Sequence, residues 1–108
     1  MTVRELAASA GFTAVALPAP EREVTGVYCG DLLSWVMGRA AAGDGWITIM
    51  SNQNIVAVAT LADTACVILA EGVAPDDGVA ALAEQKGINL LSSPLSAYET
   101  ALRLHERL

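Results

Sequence analysis

The chain has 108 residues, 54% apolar and 17% charged, with twelve acids against six bases and a formal charge of −6. That length suits one domain around one core, the apolar content excludes a disordered segment, and the acidic balance repels phosphate backbones and anionic membranes. The longest apolar run, Ala65 to Ala70, falls far short of the ~20 residues that span a bilayer, and no basic stretch followed by an apolar one opens the chain. The expectation is a cytoplasmic domain with neither nucleic acid nor membrane as a partner.

Thr2 and Glu5 have the spacing of a capping box, which predicts a helix through Ala10 that stops at Gly11. Phe12 to Leu17 and Val24 to Cys29 are β-prone on either side of Pro18-Ala19-Pro20, and we expect them to pair as an antiparallel hairpin with a long loop. Leu32, Leu33, Val36, Met37 and Ala40 then form a helical face ended by Gly43-Asp44-Gly45, and Trp46 to Met50 reads as the next strand. Ile55 to Ala62 is rich in β-branched residues and lacks a polar face. Strands at Trp46 to Met50 and Cys66 to Ala70 nevertheless share one sheet most simply if a buried crossover helix joins them, so helix is expected.

Asp76 and Asp77 precede a helix with Val79, Leu82, Ala83 and Lys86 on one face and Gly87 at its end. Ile88 to Leu91 reads as a short buried strand. Pro94 in a first helical turn, with Ser96 and Glu99 as a second capping box, starts a last helix through Tyr98, Ala101, Leu102 and His105. This alternation implies an α/β fold over residues 1–108: a small three-layer α/β/α domain with a mixed, mostly parallel sheet of four or five strands.

In such sheets the functional border is the carboxyl end of the strands. Four polar stretches fall there: Gly30-Asp31, Ser51-Asn52-Gln53-Asn54, Glu71-Gly72 and Ser92-Ser93. Unpaired amides at helix N-termini can hold a phosphate or carboxylate without a lysine, and the side-chain amides of Asn52, Gln53 and Asn54 would meet a small polar or nucleotide-like ligand first. The competing structural reading makes Asp31, Asn54 and Ser93 ordinary N-caps, and the carboxylates of Asp31 and Glu71 oppose a phosphate.

Cys29 and Cys66 lie in apolar strand patterns without C-x-x-C spacing, which points to buried free thiols rather than a metal site or disulfide. Cys29 closely precedes a helix start and would have a lowered thiol pKa if exposed. The single histidine, His105, sits near the chain end, and no catalytic triad, P-loop or dinucleotide fingerprint is present. The reading is a non-enzyme without a cofactor. Trp35 borders the helical stripe rather than centring it, and with Met37 it suits a homodimer contact, the alternative being that it covers the core edge.

The stretch from Arg22 to Ser34, with its Val-Tyr-Cys-Gly-Asp-Leu-Leu-Ser turn, resembles stand-alone DRTGG-type domains, as do Trp46 to Met50 running into Ser51-Asn52 and Ala65 to Gly72. That family is similar to the N-terminal domain of HPr kinase/phosphorylase and to regulatory modules of some phosphotransacetylases and CBS-containing pyrophosphatases. The resemblance implies an accessory domain of regulation or ligand sensing, often within a dimer and serving a larger regulatory or enzyme partner, without chemistry of its own. Where related domains carry Gly-Asp-Arg this chain has Ser51 to Asn54, and where they carry Thr-Gly-Gly it has Ala70-Glu71-Gly72. Loss of the arginine removes a strong phosphate partner.

Overall fold

A computed structural model describes residues 1–108. Thr2 Oγ1 accepts from the Glu5 amide at 3.1 Å and the Glu5 carboxylate accepts from the Thr2 amide at 2.9 Å, the capping box in full. The amide and hydroxyl of Thr2 hold the Glu5 carboxyl below its ordinary range. The box opens helix α1 (Val3–Ala10), which Gly11 ends at φ 75°. Next come β1 (Thr13–Ala16), β2 (Gly26–Cys29), α2 (Leu33–Arg39), β3 (Asp44–Thr48) and α3 (Asn54–Ala62). The chain closes with β4 (Cys66–Leu69), α4 (Val79–Lys86), β5 (Leu90–Ser92) and α5 (Ala97–Arg107). The strands form one sheet in the order β1-β5-β4-β3-β2, with β2 to β5 parallel and β1 antiparallel to β5. The α/β class and the mixed, mostly parallel sheet are as the alternation implied.

Every residue of β3 and β4 is buried, as expected for parallel strands covered on both faces. Trp46, Val67, Leu69 and Leu90 pack beneath α2, α3 and α4, through Val36, Ile55, Ala59, Val79 and Ala83. On the other face Ile47, Cys66, Ile68 and Leu91 lie beneath α1 and α5, against Val3, Leu6, Ala10 and Leu104. Consecutive crossovers in one direction and of one hand put α2 to α4 on the same face, which leaves two helices for the other. The ambiguous segment is indeed the crossover helix α3. It buries Ile55, Val56, Val58 and Ala59 and turns Ala57, Thr60 and Leu61 outward, so its amphipathicity lies in which residues are covered, not in polarity.

The expected hairpin does not form. β1 and β2 are the two opposite edges of the sheet, and the chain between them crosses the amino ends of the strands one after another. At β5, the Ala19 amide donates to Asn89 Oδ1 at 2.9 Å, while Asn89 Nδ2 donates to Ala19 O at 2.7 Å and to Ala65 O at 3.0 Å. At β4, Arg22 spans the carboxylate and carbonyl of Asp63 at 2.9 and 2.7 Å. At β3, the Thr25 amide donates to Gly43 O at 2.9 Å. The local signals do not distinguish the two outcomes: both segments are β-prone whichever strand they pair with, and prolines suit a loop as well as an edge.

Some borders also move. α2 ends at Arg39, and Asp44 and Gly45 begin β3 instead of stopping the helix, because Asp44 Oδ2 accepts from the Ala41 amide at 2.8 Å and closes the turn from inside the strand. Pro94 precedes α5 rather than opening it. On α5 the buried residues are Thr100 and Leu104, while Tyr98, Leu102 and His105 face outward.

Thr64, between α3 and β4, buries a hydroxyl that has no hydrogen-bond partner. Exchanging it for a methyl of the same shape removes an uncompensated polar group, so Thr64→Val is expected to raise stability by up to ~1 kcal/mol in urea titration. A clear loss of stability would show that the hydroxyl is bonded in solution.

Candidate functional site

Because β2 to β5 are parallel, Gly30-Asp31, Ser51 to Asn54, Glu71-Gly72 and Ser93 all leave the sheet at one border, with Ser92 as the last residue of β5. The convergence that the sequence suggested is present. What these residues do there differs from the N-cap reading.

Asp31 does not cap α2; the cap position belongs to Leu32, which makes no side-chain bond. Asp31 Oδ1 instead accepts from Thr48 Oγ1 at 2.8 Å and from the Ile49 amide at 3.0 Å, tying the end of β2 to the end of β3. Gly30 O takes the Trp46 indole N–H at 2.8 Å. Asn54 is the first residue of α3, not its cap. The amides opening that helix are taken locally: Asn54 N–H by Asn52 Oδ1 at 2.9 Å, and those of Ile55 and Val56 by the carbonyls of Asn52 and Gln53. Ser51 Oγ donates to Asp76 Oδ1 at 2.8 Å.

Glu71 sits in the left-handed region at φ 61°, held there by its amide bond to Leu95 O at 2.7 Å. The carboxylate accepts from the Ala97 amide at 2.9 Å, so the protein's own anion occupies the N-terminus of α5. The Gly72 amide donates to Ser93 O at 3.0 Å. Ser93 is buried, bonded through Oγ to Thr100 Oγ1 at 2.8 Å, and is not a cap either; Ser96 caps α5, accepting from the Glu99 amide at 3.1 Å. That is half of the expected second box.

Many backbone donors that could have received a ligand are therefore engaged by the border itself. The segments carry two carboxylates, Asp31 and Glu71, the connection from Glu71 to Gly78 adds Asp76 and Asp77, and none of these stretches contains a lysine or arginine. No pocket opens along the border or elsewhere on the protomer. The amide groups of Asn52 Nδ2 and Gln53 remain available at the surface.

The two cysteines divide. Cys29 is exposed on β2, contrary to the expectation of a buried thiol, and its pKa is raised rather than lowered: partial burial disfavours the thiolate, and Asp31 repels it. The nearby helix start does not compensate. Cys66 is fully buried and pushed up to about 12 by desolvation. Since the unfolded thiol ionises first, this contribution is intact below the ordinary thiol range and is lost as pH rises toward 12. Stability is expected to fall by up to ~1.4 kcal/mol per pH unit above about pH 9 on this account, and Cys66→Ala should flatten that slope in denaturation curves taken at successive pH values.

Trp35 is 52% exposed, as its border position implied, whereas Met37, assigned to the apolar face itself, is 47% exposed; the Arg39 guanidinium stacks 3.8 Å from the Trp35 ring centroid. Leu32 is exposed beside them, and α2 buries only Val36. Sequence reasoning overlooked the exposure of Val27 of β2 and named Tyr98 and Leu102 only as residues of the last helix, and all three are exposed. Arg103 and Arg107 bonding to α1 decides which side of α5 turns inward, and nothing in the local pattern reports that.

These features describe a three-layer α/β/α domain whose carboxyl border is closed by its own side chains and whose surface keeps several large apolar residues. The family model described as the DRTGG domain matches residues 27–107, and the chain belongs to that family. Among solved structures it is similar to the CBS and DRTGG domains of the regulatory region of Clostridium perfringens pyrophosphatase complexed with the activator diadenosine tetraphosphate. The TM-score is 0.74 at 14% identity, over 99% of this chain and 47% of that one. The chain thus spans about half of that structure. No curated protein matches it. No helix is long and apolar enough to cross a membrane.

Proposed function

We propose that this chain is a non-catalytic regulatory module that works by association with other protein chains, a second copy of itself first among them. The carrying observation is α2, which buries Val36 and presents Leu32, Trp35 and Met37 to solvent. Tryptophan and methionine are enriched in interface cores, and here Leu32 and Trp35 flank the buried Val36 on one side and Met37 on the other. The test is the particle mass of the full chain by light scattering at micromolar concentration. A mass twice that of the chain is expected, shifting to monomer in Trp35→Asp with unchanged circular dichroism. A monomer throughout the concentration range sinks self-association.

A second reading, a small polar or nucleotide-like ligand at the carboxyl border, is supported by the free amide groups of Asn52 and Gln53. It is opposed by the four carboxylates. Thermal-shift titration with nucleotides discriminates: at a hundredfold over the dissociation constant linkage stabilises by ~3 kcal/mol, and Asn52→Ala should weaken any shift. No shift with any nucleotide at millimolar concentration removes this reading.

A further inference from the structure

We propose that two copies of this chain join along β2, antiparallel to one another about a two-fold axis, so that the sheet continues through both and α5 packs against its counterpart. The inference rests on the self-association reading above and specifies its surface. Four observations lead to it.

The two edges of the sheet are not alike. β1 has a register irregularity between Ala14 and Ala16, and Pro18 and Pro20 follow it closely. Bulges and prolines are devices that stop an edge from recruiting another strand. β2 has neither. It pairs with β3 in unbroken register from Gly26 to Cys29, carries no lysine or proline, and has no strand on its outer side.

α5 covers the inner part of β2 and leaves its outer border open. Tyr28 belongs to the cluster under α2 to α4, so alternation turns Val27 and Cys29 to the opposite face, and both are exposed there. Only α1 and α5 cover that face. Arg103 and Arg107 bond to Ala10 and Ser9 of α1, so the other side of α5 points to the β2 edge, and on a helical wheel that side is Tyr98, Leu102 and His105. Tyr98 is 72% exposed and Leu102 37%.

The spacing fits. α5 lies against both β2 and β3. With strands about 4.8 Å apart, a helix centred over that pair stands about 5 Å from a two-fold axis placed between β2 and its counterpart. The two α5 axes then lie about 10 Å apart, the ordinary distance of packed helices. α2, the crossover between the same two strands, lies on the opposite face at the same edge.

The charges also agree. Each copy carries −6, so two copies repel except where carboxylates are missing. The strip from Gly26 to Cys29 with Tyr98, Leu102 and His105 contains none. Antiparallel α2 helices bring Arg39, at the end of one, toward Asp31, ahead of the start of the other.

The experiment uses the full chain. Val27→Lys and Leu102→Asp alter opposite walls of the bare strip without touching the core; each is expected to convert the dimer to monomer in sedimentation velocity, with unchanged circular dichroism and melting temperature. With the two-fold axis at Tyr28, so that Val27 of each copy faces Cys29 of the other, the two Cys29 positions lie about 8 Å apart. A bis-maleimide of about that span should therefore give a covalent dimer on denaturing gels, absent in Cys29→Ser. If the wild type is dimeric but neither substitution dissociates it and Cys29 does not cross-link, the β2 arrangement is wrong while self-association stands. A wild type that stays monomeric overturns both.

Discussion

Replacing Trp46 by alanine should cost about 3–5 kcal/mol, roughly a third or more of the middle of the range of about 5–15 kcal/mol in stability for a domain of this kind. Trp46 is fully buried on β3 beneath the three-helix layer and is the largest of the enclosed side chains. Its indole N–H also donates to Gly30 O at 2.8 Å, which holds the exit of β2 against β3. Truncation thus opens a cavity and orphans a carbonyl at once. Trp46→Phe separates the two, since it keeps most of the volume and loses only the bond, and is expected to cost less than half as much. Urea titration measures both; a loss below ~1 kcal/mol for the alanine variant would mean that the helices close over the gap.

The second large effect is expected from Asn89→Ala, about 2–4 kcal/mol in the same titration. Asn89 is 2% exposed, and its side chain satisfies the amide and carbonyl of Ala19 and the carbonyl of Ala65. Removing it strands those backbone groups and frees the segment that carries the chain from one sheet edge to the other. Arg22→Ala, which removes the other side-chain tie of that segment, should cost no more than about 1 kcal/mol, because the ion pair with Asp63 is partly open to solvent. If the two variants are equally destabilised, the connection is held by charge rather than by buried amide bonds.

The candidate site was legible in position and not in condition. That four polar segments share a border follows from β-then-α repetition, since parallel strands all exit at one end. Whether their polar groups are free depends on partners outside each segment: Thr48 for Asp31, Asp76 for Ser51, the Ala97 amide for Glu71, Thr100 for Ser93. An aspartate ahead of a helix reads as its cap by propensity, but here it meets the neighbouring strand's end first. The exposed residues follow the same division. Trp35 could be placed outside the core from the stripe on its own helix, whereas Val27 is bare only because the face it occupies has two helices for five strands.

What the sequence determined by itself was local and repetitive: the Thr2–Glu5 box, the glycine stops at Gly11 and Gly87, the apolar runs of β3 and β4, and the order in which strands and helices alternate. These depend on backbone conformations and burial patterns set within a few residues. Only the tertiary structure decided that β1 and β2 part to opposite edges, that the border residues bond to one another, and that Val27 and Cys29 of β2 stay exposed. Each is a competition among contacts far apart in the chain. Ala19 settles against Asn89, seventy positions on, in preference to any pairing between its own neighbours, because the sheet's interior strands leave buried groups that must be bonded and the loop is what reaches them.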